Sequence, residues 1–218
     1  MTREELIKKV ALKMDEISSS DDVIVPVSSG DNNPLYTQIN NLLNESVNDA
    51  LMKAPIYRIL NQVLTLSSSN MTIKSILGGK RKTAVFTIPE NFIRLVSIND
   101  DAFQRPVVEL SIEGDDIAKR QHNKFLVAGN AKPVAVLGRG SLGLRQITCY
   151  SYGELDTPSP SLLYIKRYDN DSDTTAETDL DEYMTDLVSW VCAGKVFAAQ
   201  GDINKGKLCD ENAAALMI

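Results

Sequence analysis

The stretch Thr83 to Asp101, TAVFTIPENFIRLVSINDD, restricts the fold more than any other part of the chain. Thr83, Val85 and Thr87 alternate with Ala84, Phe86 and Ile88, the period of two that belongs to a half-buried strand. Pro89-Glu90-Asn91 is turn chemistry, because proline pre-sets its own φ and asparagine bonds to neighbouring backbone. Ile93 to Ile98 then resumes as a second strand, so two strands share one short corner, and Phe103 to Leu110 is a third extended segment. A helical frame has to give way to a sheet at this point.

Helical periodicity holds at both ends of the chain. Thr2-Arg3-Glu4-Glu5 is a capping box, and Leu6, Ile7, Val10, Met14 and Ile17 then fall on one helical face. Residues 18–33 read as a long polar loop with an apolar centre, Val23-Ile24-Val25-Pro26-Val27. That centre is either a strand or an extended arm, and its proline favours an edge or an intersubunit contact over a central strand. Asn33-Pro34 starts a second helix with the stripe Leu35, Ile39, Leu42, Leu43, Val47, Ala50 and Leu51, closed by Ala54-Pro55. Asp179 to Glu182 caps a third, whose buried stripe is Tyr183, Leu187, Trp190, Val191, Gly194, Phe197 and Ala198. Gly194 admits another backbone, and Gly201-Asp202 stops that helix and caps the next, from Ile203 to about Met217.

Between these ends the pattern is β. Residues 56–66 are either a further helical turn or a strand, with a strand favoured from about Asn61. Strands are expected over Met71 to Leu77, Phe125 to Val127, Val134 to Leu137 and Leu144 to Tyr152, and Leu162 to Tyr168 ends the β region and returns the chain to the helical body. Ser111 to Arg120 is a short helix or turn. The expected fold class is α+β, a helical bundle built from the N-terminal and C-terminal helices with a central antiparallel β-sandwich or barrel-like insertion. Its divisions are residues 1–55, the insertion 56–168, and a linker with the C-terminal helical hairpin over 169–218.

Composition narrows the function. At 218 residues, with 43% hydrophobic and 24% charged residues, the chain has enough material for a real core. A net charge of −6 argues against a dedicated duplex-binding protein, which would normally show a basic face. Cys149, Cys192 and Cys209 have no metal-like spacing and read as free thiols of a reducing cytoplasm. No apolar run approaches the roughly 20 residues of a membrane span. The acidic, amphipathic start is neither a signal nor a transit peptide, so the mature chain is expected to begin at Met1.

The candidate chemical motifs each have a simpler structural explanation. Gly138-Arg139-Gly140-Ser141-Leu142-Gly143 matches the dinucleotide fingerprint, but Leu144 to Tyr150 is β-rich where a helix is needed, so it reads as a glycine-rich hairpin loop. Gly79-Lys80 lacks the flanking residues of a phosphate loop. Lys80, Arg81 and Lys82 are either a solvated hairpin tip or contacts to DNA phosphates or to an acidic neighbouring subunit. Asp169-Asn170-Asp171-Ser172-Asp173 imitates a calcium loop, yet Thr174 and Leu180 stand where glycine and a bidentate glutamate belong, so a flexible linker is expected. His122 is the one histidine and has no serine or cysteine motif around it. No catalytic, metal or cofactor site is assigned, and the chain is not expected to be an enzyme. The apolar end Ala215, Leu216, Met217 and Ile218 either docks into a partner or completes the last helix.

The run of a strand, Ile88-Pro89-Glu90-Asn91-Phe92-Ile93-Arg94-Leu95-Val96, a short loop and Pro106-Val107-Val108-Glu109-Leu110 resembles the β portion of the head-to-tail connector proteins of tailed bacteriophages, also called adaptor or neck ring proteins. The likeness extends over most of the chain, with a helix pair before the β insertion and a helical hairpin bent at Gly-Asp after it, and it points to the crAss-like group. It implies a structural virion protein assembled in the host bacterial cytoplasm as a ring of about twelve copies. Its partners would be the portal above and the next neck or tail ring below, with genomic DNA passing through the lumen without sequence readout. A rival expectation is a tail or baseplate β-sandwich module that binds another tail protein or a host surface.

Overall fold

In a computed structural model, the described residues are 1–17, 34–66, 68–140, 143–169 and 178–218. The chain divides into two compact units, one made of Met1–Leu60 with Arg167–Ile218, the other of Asn61–Lys166. The fold class is α+β, with helices from both chain ends flanking a central sheet region.

The first unit contains α1 (Arg3–Ile17), α2 (Pro34–Lys53), α4 (Glu182–Ala199) and α5 (Ile203–Leu216). The capping box forms as the sequence predicts: the Glu5 N–H donates to Thr2 Oγ1 at 3.2 Å, and Glu5 Oε2 accepts from the Thr2 N–H at 2.8 Å. The centre of the unit is α4, which packs against α1, α2 and α5. Burial along α4 is not a single stripe. Met184, Thr185, Leu187, Val188, Ser189, Val191, Cys192, Ala193, Gly194, Val196 and Phe197 are all buried, because a helix with neighbours on three sides has almost no solvent face. Ala198, expected in the stripe, is exposed, and Tyr183 and Trp190 are half-buried.

A polar anchor inside this unit escaped the periodicity. Arg3 is buried and donates to Asn40 Oδ1 and Asn44 Oδ1, both at 2.7 Å, and to the Asn40 carbonyl at 2.9 Å, which ties α1 to α2. At the other side, α4 ends on Gly201 at φ +87°, and the Asp202 carboxylate then accepts the Lys205 N–H, so one residue reverses the chain and the next caps α5. The two helices cross at Gly194 and Gly206. A Cβ at 194 would lie 3.3 Å from Cys209 Cβ and 3.4 Å from the Gly206 carbonyl oxygen, and one at 206 would lie 3.3 Å from the Gly194 carbonyl oxygen.

The second unit holds two sheets: β1 (Val63–Leu66), β8 (Ser161–Lys166) and β4 (Phe92–Asn99) in that order, and β2 (Met71–Ile76), β3 (Arg81–Thr87), β7 (Arg145–Gly153), β6 (Ala135–Arg139) and β5 (Leu110–Ile112) in that order. They share one apolar core. Ala84, Phe86, Ala135, Ile147 and Cys149 of the five-stranded sheet meet Leu66, Phe92, Leu95, Ile98, Leu162 and Tyr164 of the three-stranded sheet. Among the described residues no barrel closes, and one pairing departs from the antiparallel expectation: β5 runs parallel to β6.

The corner at Pro89 therefore does more than turn a hairpin. β3 and β4 do not pair; the chain leaves the five-stranded sheet after Thr87 and enters the three-stranded sheet at Phe92. The Ile88 N–H still bonds to the Arg145 carbonyl at 3.0 Å, and the Phe92 N–H closes the turn on the Pro89 carbonyl at 3.1 Å. Three other expectations are corrected. Phe125 to Val127 is turn, not strand, with the Leu126 and Val127 N–H groups both held by the Asn123 carbonyl. Ser111 and Ile112 belong to β5, so the helix after them, α3 (Asp116–Arg120), is only one turn long. The segment Phe103 to Leu110 touches the sheet at Val107, which bridges to Ile98, and at Leu110, the first residue of β5.

Two outcomes test this packing. Gly194→Leu has no room at the α4–α5 crossing and is expected to cost about 1–3 kcal/mol in urea unfolding, the typical overpacking penalty; unchanged stability would mean that the helices are farther apart. All three cysteines are buried thiols, and burial pushes Cys149 up to about 12 and Cys192 and Cys209 up to about 11. At pH 8 the native chain is thus expected to be inert to a disulfide reagent, with three thiols titrating only after unfolding.

Candidate interaction surfaces

The outer face of the five-stranded sheet carries a cleft of about 170 Å³. Alternation along the strands builds it: Ala135, Ile147 and Cys149 point into the core, so Val136, Gly138, Gln146, Thr148 and Tyr150 face outward. α3 closes one side with Ala118 and Lys119, and His122 comes just after it, its ring edge-on to Tyr150 at 6.2 Å between centroids. Glu113 enters over Gly138, where a Cβ would come within 2.6 Å of its Oε2, and accepts the Arg139 N–H at 3.2 Å. Burial first, and the Glu113 charge second, push the Tyr150 hydroxyl above its ordinary range. With Lys119, His122 and Arg139 beside one acid, the cleft suits a small polar group or an opposing side chain. The sequence concealed it because its residues come from three separate segments, and only the lone histidine hinted at it.

Lys80, Arg81 and Lys82 do not form one projecting trio. Lys80 is exposed after the Gly78-Gly79 turn, whereas Arg81 and Lys82 are half-buried in β3. Lys82 Nζ donates to the Asp156 carbonyl at 2.8 Å, and the Asp156 carboxylate accepts the Gly153 N–H at 2.7 Å and Asn130 Nδ2 at 3.2 Å. The Gly153 bond, the Asn130 bond and the nearby Lys82 and Arg81 charges hold the Asp156 carboxyl below the usual aspartate value. Asp100 performs a similar service opposite, accepting from the Tyr152 hydroxyl at 3.1 Å and the Ser159 N–H at 2.8 Å.

At the chain end, Ala215 and Leu216 finish α5, Met217 donates its N–H to the Ala214 carbonyl, and Ile218 is 96% exposed. Other exposed apolar side chains are Leu12, Met52, Tyr57, Leu60, Ile203 and Leu208 in the helical unit, and Phe125 (80% exposed) and Leu155 (93%) in the β unit. The Val23-Ile24-Val25-Pro26-Val27 arm and residues 170–173 of the calcium-like run lie outside the described residues. After Gly143 the chain enters β7, so the helix that a dinucleotide fingerprint needs is replaced by a strand. Among the described residues no group of three or more metal-ligating side chains converges, and no helix is long and apolar enough to cross a membrane. Compared with known proteins, the chain matches no family model and no curated protein.

The Asp156 network gives a pH test. A carboxyl lowered in the folded state stabilises it above the unfolded value and loses that contribution as pH falls through the folded value. Asp156→Asn is expected to lower the melting temperature at pH 7, with the difference from the native chain shrinking below about pH 4; a difference that stays constant to about pH 2.5 would contradict the assignment.

Proposed function

We propose that this chain is a structural head-to-tail connector, an adaptor ring protein of a tailed-phage virion. Docked beneath the portal, copies of it extend the DNA channel and offer a platform to the next neck or tail component. The observation that carries the reading is the insertion: both chain ends belong to one helical unit, and the two-sheet unit is inserted between Leu60 and Arg167. That is the organisation implied by the resemblance of the Ile88 to Leu110 region to connector proteins.

Surface chemistry supports the same reading. The helical unit exposes Leu12, Met52, Tyr57, Leu60, Ile203, Leu208 and Ile218, apolar area that an assembly would cover. Around a ring, each weak contact is repeated, so fit between neighbours supplies stability that no single contact has. Lys80, the exposed residue of the basic trio, is the candidate for contact with DNA, and Ala215 to Ile218 are the candidates for portal docking. The reading gives the chain no enzymatic step, cofactor or membrane partner, and places it in the virion neck after assembly in the host cytoplasm.

A second reading is favoured by Phe125 and Leu155, large apolar side chains exposed on the β unit: a tail or baseplate module that grips another tail protein or a host surface. Native mass spectrometry of the purified chain, alone and mixed with its portal, separates the two. The connector reading expects a ring of about twelve copies on the portal. A chain that stays monomeric and ignores the portal would overturn it in favour of the second reading.

A further inference from the structure

The glycines of Gly138-Arg139-Gly140 have a use other than a nucleotide loop: both make room for side chains of the cleft on the outer face of the five-stranded sheet. A Cβ at 138 would come within 2.6 Å of Glu113 Oε2 and 3.2 Å of its Cδ. One at 140 would come within 2.6 Å of Gln146 Cδ and 2.7 Å of both heteroatoms of its amide. Each bare position thus lets a planar polar side chain lie against the backbone. Glu113 is held there by the Arg139 N–H, and Gln146 stands directly across from Gly138 in the β6–β7 ladder.

The rest of the lining is of two kinds. Ala118 and Val136 are buried and apolar, and the rings of His122 and Tyr150 stand at 75° to one another, forming a corner. Gln146, Thr148 and Tyr150 are half-buried, and no described residue hydrogen-bonds their side chains. Three such groups in one cleft leave donors and acceptors for a partner from outside.

Charge disfavours two classes of partner. An anion meets Glu113, the charge that adds to burial in raising the Tyr150 hydroxyl, and a cation meets Lys119 and Arg139 in the same lining. A neutral ligand meets neither penalty. Its groups must both donate and accept, because the cleft offers a carboxylate that accepts, cations that donate, and amide and hydroxyl groups that do both. A volume of about 170 Å³ equals about six waters at ~30 Å³ each, which admits one ring and not a chain. Hydroxyls around a ring with C–H groups on its face match all of this, since the face of an aromatic ring is negative and attracts C–H.

We propose that this cleft binds one neutral sugar residue, with Glu113, Gln146, Thr148 and Tyr150 taking its hydroxyls and the His122–Tyr150 corner taking its C–H face. The site lies wholly within the β unit, so it does not depend on ring assembly. A connector that carried it would display one sugar site per copy, and repetition would raise avidity for a glycan surface well above that of a single cleft.

One ring in an open cleft binds weakly, with a dissociation constant of roughly 1 mM, so the test is an NMR titration of the full chain. His122 is the one histidine, and its ring protons report from inside the cleft. The probes are the methyl glycosides of glucose, galactose, mannose and N-acetylglucosamine, with inorganic phosphate and methylguanidinium as charged controls. At least one glycoside is expected to shift the His122 signals saturably. Glu113→Ala and Gln146→Ala are expected to keep the melting temperature of the native chain and to weaken that binding about fivefold each, the usual effect of one lost hydrogen bond. Absence of a shift with all four glycosides, a glycoside that binds without moving His122, or unchanged affinity in both variants would overturn the proposal. A His122 response to phosphate or methylguanidinium alone would assign the cleft to a charged group and overturn it too. None of these outcomes bears on ring formation with the portal, so the sugar site and the connector reading fail separately.

Discussion

The β unit depends on what happens at Pro89. β3 is bonded into the five-stranded sheet up to the Ile88 N–H, and proline then offers no donor with which to continue the ladder. Three residues later Phe92 is in the other sheet, its ring stacked on Tyr164 at 5.6 Å with the Arg145 guanidinium 5.7 Å from its centroid. One aromatic side chain thereby touches a strand of each sheet at the point where the backbone crosses between them. Phe86 and Phe92, on either side of the turn, both point into the shared core, so the corner sets the separation of the sheets and the face that each must bury.

The helical unit answers a different constraint. α4 is buried almost all round, so it needs helices on several sides, and α1, α2 and α5 supply them from opposite ends of the chain. Chain ends that meet in one unit leave the middle of the sequence free to be a separate sheet unit. Polar ties then fix the fit: Arg3 between Asn40 and Asn44, and Lys195 between Glu45 and Asp49, both at 2.6 Å, link α2 to its neighbours. The Lys195 pairs reach solvent on their acid side and so add little net stability.

Much of this was legible from residues that act locally. The Thr2–Glu5 box, the Pro34 start and the Gly201-Asp202 reversal each state their structure within a few positions and appear where expected, whereas Thr83 to Ile88 is a strand but not the half-buried one its alternation suggested, since Thr83 to Phe86 are buried on both faces. Structure that depends on distant partners was hidden. Phe125-Leu126-Val127 looks like a strand because β-prone residues adjoin, but the Asn123 carbonyl captures its N–H groups and bends it into a turn. That β3 and β4 part company, that β5 is parallel to β6, and that Glu113, His122 and Tyr150 meet in one cleft are all consequences of pairing across the sheet, which local pattern does not encode. The basic trio was misleading because Lys80 ends the Gly78-Gly79 turn before β3 begins and stays in solvent, whereas Lys82 lies within β3 and donates to the Asp156 carbonyl.

Single-particle electron microscopy of the tailed-phage neck that the proposed connector would occupy tests the central claim most directly. The account predicts a ring of about twelve copies between portal and tail, each with its two-sheet unit inserted in a helical unit. Absence of the chain from the neck, or its presence at the host-facing tip of the tail, would contradict it.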